Sequence, residues 1–249
     1  MNEPIILIGG FGSHWSDYNQ FARVLANVSG RRVFIVGINR FSWVVGGLLS
    51  DYTLLINRTH HAVAHAIQQT GAEKVILVGH SAGGVVARGY LADKAVKQHH
   101  VAYSGYERVS RIITLGSPLR AVKSALHPGL DQAGWVDQNY PGAYYAPQVQ
   151  YLTVSGNLIK GKPVGTPSEM LAYTNYEFIG GDGAQTGDGV VPHNVSSLDG
   201  VPSLMLEGIA HSTQWGRWFG SDENTVRLWW NYFDLGDAPL PRQGATFMA

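Results

Sequence analysis

The chain has no cysteine. Disulfide bridges and thiol chemistry are thereby excluded, so packing and hydrogen bonds alone must hold the fold. Charge is sparse, at 14% of 249 residues, and 18 Lys and Arg balance 18 Asp and Glu. No basic patch or block of like charge is present, which argues against nucleic-acid and polyacid partners. Long apolar runs are missing too, since no stretch approaches the roughly 18 residues of a transmembrane helix. The first residues, MNEPIILIGG, lack a basic n-region, and their apolar run is too short for a secretory leader. A cytoplasmic location is the expectation.

Short β-branched runs alternate with helical patterns, which is the sequence sign of a parallel sheet with crossover helices. Strands are expected at Pro4–Ile8, Arg32–Val36, Lys74–Val78, Arg111–Leu115, Gln150–Val154 and Ser203–Leu206. Helices are expected near Tyr18–Val28, Tyr52–Thr70, Ala82–Val96 and Glu223–Phe233. A single α/β domain over residues 4–235 accounts for the length. The Pro/Gly-rich end, 236–249, reads as a loose tail. Two stretches fit poorly. Residues 120–147 carry scattered aromatics among three prolines and read as a lid or cap insertion, and 156–187 is similarly irregular.

Glycine is abundant, at 31 residues, so a chance G-x-S-x-G is not rare and context must decide. Here Gly79-His80-Ser81-Ala82-Gly83 follows a β-branched strand and runs straight into a helical pattern. That is a nucleophile elbow, in which the serine sits on a sharp turn and its hydroxyl projects above the sheet. The Ala82 amide, at the helix N-terminus, points at the same spot.

A serine hydroxyl needs a base within reach and an acid to orient that base. On an elbow fold the chain order is Ser, acid, His. His211 follows the last expected strand and precedes the last helix. Its rival, His193, lies so close to Asp188 that both would share one loop. The best acid is Asp188, in Gly187-Asp188-Gly189, with Asp182 in a similar Gly-Asp-Gly as the fallback. A second oxyanion donor is expected from Gly9-Gly10-Phe11-Gly12 after the first strand, as the Phe11 amide. That loop lacks both G-x-G-x-x-G and a P-loop lysine, so nucleotide binding is not indicated. His61 and His65 are spaced i, i+4 on a helix, but no H-E-x-x-H glutamate or third ligand accompanies them. No metal and no cofactor is expected.

GGFGS, GHSAGG, GDGVVP and GIAHS thus occur in order, and with them the chain resembles the α/β-hydrolase superfamily, in its lipase and esterase branch. Leu115-Gly116-Ser117-Pro118 is similar to the L-G-[ST]-P of many lipases, and Asp188–Pro192 to the acid turn of bacterial triacylglycerol lipases. The resemblance implies an α/β-hydrolase fold with a minimal, mostly parallel six-stranded sheet. The chain departs from the pattern in two places: lipases usually carry His-Gly at the oxyanion loop, where this chain has Gly9-Gly10, so the loop must be supported differently. No calcium-ligating Asp follows His211.

The implied activity is hydrolysis of carboxylic esters through Ser81, Asp188 and His211, with the amides of Phe11 and Ala82 at the oxyanion. The apolar Phe41–Leu49 loop and the aromatic insertion suggest an acyl or lipid-like ester and a transient contact with a membrane surface. Trp43, Leu48, Trp135 and Tyr144 are the candidate substrate contacts. Acyl transfer on the same triad, or a ligand-binding protein that keeps the fold without catalysis, stay open as alternatives.

Overall fold

The computed structural model describes residues 3–48, 51–95, 102–120, 128–234 and 245–248. Six strands lie parallel: β1 (Ile5–Ile8), β2 (Val33–Ile35), β3 (Val75–His80), β4 (Val109–Leu115), β5 (Gln150–Asn157) and β8 (Ser203–Glu207). Their spatial order is β2-β1-β3-β4-β5-β8. A seventh strand, β9 (Ala245–Met248), adds antiparallel to β8. It falls within the stretch read as a loose tail. Between β5 and β8 a small antiparallel pair of β6 (Ile159–Lys160) and β7 (Thr186–Gly187) stands apart from the main sheet.

Side chains alternate across a strand, and here both faces are buried, which is why the strands read as unbroken apolar runs. Ile6, Ile8 and Leu77 pack on one face against α3 (Thr53–Thr70) and α4 (Ala82–Leu91). Ile5, Leu7, Ile76 and Val78 pack on the other, against α1 (Asn19–Ser29) and α8 (Glu223–Asp234). The chain goes from β1 to β2 on one side and returns to β3 on the other. That reversal opens a crevice beyond the carboxyl ends of β1 and β3, where ligands bind in open α/β sheets.

Three helices arise where the sequence reads as loop. Helix α2 (Arg40–Leu48) replaces the expected apolar loop, and its start is capped by Asn39, whose Oδ1 accepts from the Ser42 amide at 2.8 Å. Helix α5 (Pro128–Asn139) occupies much of the expected insertion, and residues 121–127 of that stretch lie outside the described residues. Helix α6 (Pro167–Gly180) occupies the second irregular stretch, opened by a capping box of Thr166 and Glu169 with Pro167 in the first turn. One short helix, α7 (His193–Ser196), follows the acid turn. Among the described residues no helix is long and apolar enough to cross a membrane.

The insertion is tied down by a buried cation. Arg88 of α4 is 4% exposed and donates to the carbonyls of Leu119 (2.9 Å) and Tyr140 (2.7 Å), closing off both ends of the insertion. Tyr140 and Tyr145 reach back to the end of α4, where their hydroxyls accept from the amides of Lys94 (2.9 Å) and Asp93 (3.1 Å). These aromatics serve as core and anchors. Arg88→Met keeps the bulk but leaves two buried carbonyls without donors. It should lower the unfolding free energy by about 2–4 kcal/mol in urea melts and speed amide exchange across 128–145.

Candidate active site

Strand β3 ends at His80, and α4 begins at Ala82. Ser81 alone makes the turn, at φ 54° and ψ −130°. Such a conformation costs a non-glycine residue about 1–3 kcal/mol and persists only where the surroundings enforce it. The enforcement is close packing. A Cβ at Gly83 would lie 2.4 Å from the Ile8 carbonyl oxygen, and one at Gly79 would lie 2.6 Å from the Gly84 Cα. The turn is also held by the Ser81 amide, which donates to the Leu115 carbonyl at 2.9 Å.

Asp188 follows β7 and is 1% exposed; His211 follows β8 and is 8% exposed. His211 Nδ1 donates to Asp188 Oδ2 at 2.8 Å. The other carboxylate oxygen accepts from the amides of Val190 (3.0 Å) and Val191 (2.8 Å), and the Asp188 carbonyl accepts from the His211 amide at 2.8 Å. The imidazole is therefore held by both its ring and its backbone. Both Ser81 and His211 line the crevice. The fallback acid, Asp182, instead faces solvent and accepts from Gln185 and the Ala184 amide. His193 is turned to the sheet, with Nδ1 2.8 Å from Ser155 Oγ.

The loop after β1 lies against Ser81: a Cβ at Gly10 would meet Ser81 Cβ at 2.8 Å. Phe11, 57% exposed, is at the mouth of a cleft of about 860 Å³ that runs over Ser81. Phe11, Val44 and Val85 line it together with Phe178, Val191 and Trp215, so its walls are largely apolar. Arg40 and Asp17, paired at 3.1 Å, are the charged residues at its rim.

Residues 2–130, just over half of the chain, match the PGAP1-like alpha/beta domain. The chain belongs to this family, within the α/β-hydrolase superfamily. No curated protein matches it. Among solved structures, phospholipase PlaB from Legionella pneumophila, in complex with thio-NAD, superposes with a TM-score of 0.61 at 14% identity, over 88% of this chain and 54% of that one. The lin2722 gene product of Listeria innocua superposes with a TM-score of 0.52 at 16% identity, over 96% of each chain. This chain spans about half the length of the phospholipase. At these identities the likeness is one of fold, and it bears out the α/β-hydrolase fold expected from the motifs, while the family match bears out the superfamily.

On this α/β-hydrolase fold Trp43, Trp135 and Tyr144 lie away from the lining of the cleft. Trp43 is fully buried behind its wall, ring to ring with Phe11 (6.0 Å) and Tyr52 (5.7 Å). Trp135 packs on Tyr140, and Tyr144 borders a separate hollow with Arg120 and Asp199. The Leu48 side chain lies outside the described residues. Among those residues, no group of three His, Asp or Glu side chains is gathered as a metal would need. Sequence reading missed α6, which supplies Phe178 to the cleft and steadies the acid. Tyr176 Oη accepts from the Gly189 amide at 2.8 Å, and Asn175 Nδ2 donates to the Gly189 carbonyl at 2.9 Å. The T-P-S-E capping box was the available signal for that helix.

His80 is fully enclosed, and burial, with His211 beside it, holds its imidazole well below the ordinary value of 6.5. Burial also depresses His193. Below pH 6.5 the unfolded chain takes protons that these folded imidazoles refuse, so stability is lost as pH falls and is level above. Urea melts from pH 8 to pH 5 should show stability flat to about 6.5 and then declining by up to about 1.4 kcal/mol per pH unit for each such imidazole. A flat profile through pH 5 would mean that His80 takes up its proton in the folded chain.

Proposed function

We propose that this chain is a serine hydrolase of carboxylic esters, acting through Ser81, His211 and Asp188. The observation that carries the reading is the buried His211–Asp188 pair at 2.8 Å on the same cleft as a serine held in the strained elbow. Ser81 Oγ attacks the acyl carbon while His211 Nε2 takes its proton. The carbonyl oxygen becomes an oxyanion, for which the Phe11 and Ala82 amides are the donors. Each such donor is worth about 3–4 kcal/mol of barrier. His211 then returns the proton to the departing alcohol oxygen, leaving an acyl-enzyme. Water, deprotonated by the same imidazole, attacks that ester and frees the acid and Ser81.

The apolar cleft favours a greasy acyl group. Its rim exposes Phe11, Val44 and Phe178, and Phe41 stands 74% exposed on the first turn of α2. This combination suits an ester presented by a lipid aggregate, reached by transient contact with its surface.

Ser81→Ala should abolish labelling by a fluorophosphonate probe and reduce p-nitrophenyl ester hydrolysis by roughly 10⁶-fold. Asp188→Asn, which permits the wrong imidazole tautomer, should cost roughly 10⁴-fold in kcat. Retained labelling in Ser81→Ala would refute the nucleophile. A p-nitrophenyl series should favour medium and long acyl chains over acetate, and activity confined to acetate would rule out the lipid-like substrate. Added alcohols that divert the acyl-enzyme from water would identify a transferase instead.

A further inference from the structure

Gly9 and Gly10 themselves bring no side chain to fix the oxyanion loop. A Cβ at Gly9 would lie 2.6 Å from Tyr18 Cε2, so the tyrosine ring fills the space that a side chain there would take. The Gly10 amide is 2.7 Å from Tyr18 Oη, which is 2.7 Å from His80 Nδ1. His80 Nε2 is in turn 2.9 Å from the carbonyl oxygen of His211.

The last of these contacts sets the direction of all the others. A carbonyl only accepts, so Nε2 carries the hydrogen. The neutral ring then has a bare lone pair at Nδ1, to which the Tyr18 hydroxyl donates. The tyrosine oxygen keeps lone pairs to accept from Gly10. Three segments far apart in sequence are thus joined: the oxyanion loop, the residue before the nucleophile, and the backbone of the base. Tyr18 and His80 are 5% and 4% exposed, so water does not compete for these bonds.

Gly10 is gripped from its other side as well. Its carbonyl accepts from the Ser13 hydroxyl at 2.6 Å and the Ser13 amide at 3.3 Å. In a trans peptide the C=O and the next N–H point in opposite directions, so fixing this carbonyl fixes the Phe11 N–H. We propose that Tyr18 and His80 are positioning residues for the ester hydrolysis, holding the Phe11 amide and the His211 main chain in register with Ser81. Their hydrogen bonds go to the Gly10 amide, to each other and to the His211 carbonyl. The inference rests on the serine-hydrolase reading of the same site and supplies the loop support that the Gly9-Gly10 pair lacks.

Tyr18→Phe keeps the ring and its packing but removes one donor and one acceptor. In the full chain it should lower kcat for a p-nitrophenyl ester by roughly 10- to 100-fold, with KM within about two-fold. Inhibition by an alkyl trifluoromethyl ketone, which forms a tetrahedral oxyanion on the serine, should weaken by the same factor. Inhibition by the corresponding secondary alcohol, which forms no adduct, should not change. Equal kcat and equal ketone inhibition in the variant overturn the inference. Should the variant unfold, nitrogen NMR of the unsubstituted protein still tests it: His80 must be the neutral Nε2–H tautomer, and an Nδ1–H tautomer overturns the chain of bonds. Fluorophosphonate labelling separates the two readings. No labelling of the unsubstituted protein defeats the hydrolase reading and this inference with it, whereas undiminished labelling rates in Tyr18→Phe defeat this inference alone.

Discussion

The close approach of β1, β3 and the start of α4 around Ser81 is the constraint on which the site depends. Ser81 has a positive φ, and the Ile8 carbonyl lies where a Cβ at Gly83 would have to be. The strain is offset by sheet and helix packed on every side, with Ile8, Val78 and Val86 fully buried. Because the turn is forced, the serine hydroxyl is presented without a flexible loop to order. The same crowding brings Gly10 against Ser81, so the loop after β1 and the turn after β3 are placed by one packing event.

Asp188 and His211 come from two segments that the sheet sets side by side. Asp188 lies on the excursion after β5, and His211 follows β8, the neighbour of β5. Two bonds between these residues, one through side chains and one through backbone, make them a single rigid unit. Helix α6 then braces the acid turn through Tyr176 and Asn175 while offering Phe178 to the cleft. One helix therefore shapes the substrate wall and steadies the carboxylate.

The six parallel strands were legible because burial on both faces leaves a run of β-branched residues with no polar alternation. Ser81, Asp188 and His211 could be singled out for a related reason: each sits in a short local pattern, and the structure bonds Asp188 to His211 and brings His211 and Ser81 to one cleft. Helix α2 was hidden by Gly46-Gly47, which weaken helix propensity, although Asn39 supplied the cap. The aromatics of the insertion looked like a binding wall because composition does not say which side of a helix faces the core. Tyr140 and Tyr145 turned out to anchor the insertion on α4, and Trp135 packs among them.

Tyr18 and His80 mark the boundary between the two kinds of information. They are 62 positions apart, and no local spacing relates them; only the packing of the segment before α1 against the end of β3 brings them to 2.7 Å. Sequence alone determined the fold class and the sharp turn at Ser81, because these follow from short-range backbone demands and burial periodicity. The tertiary structure alone decided which side chains line the cleft and which ones hold the oxyanion loop. Those contacts depend on the relative placement of whole elements, and a one-dimensional pattern carries no record of it.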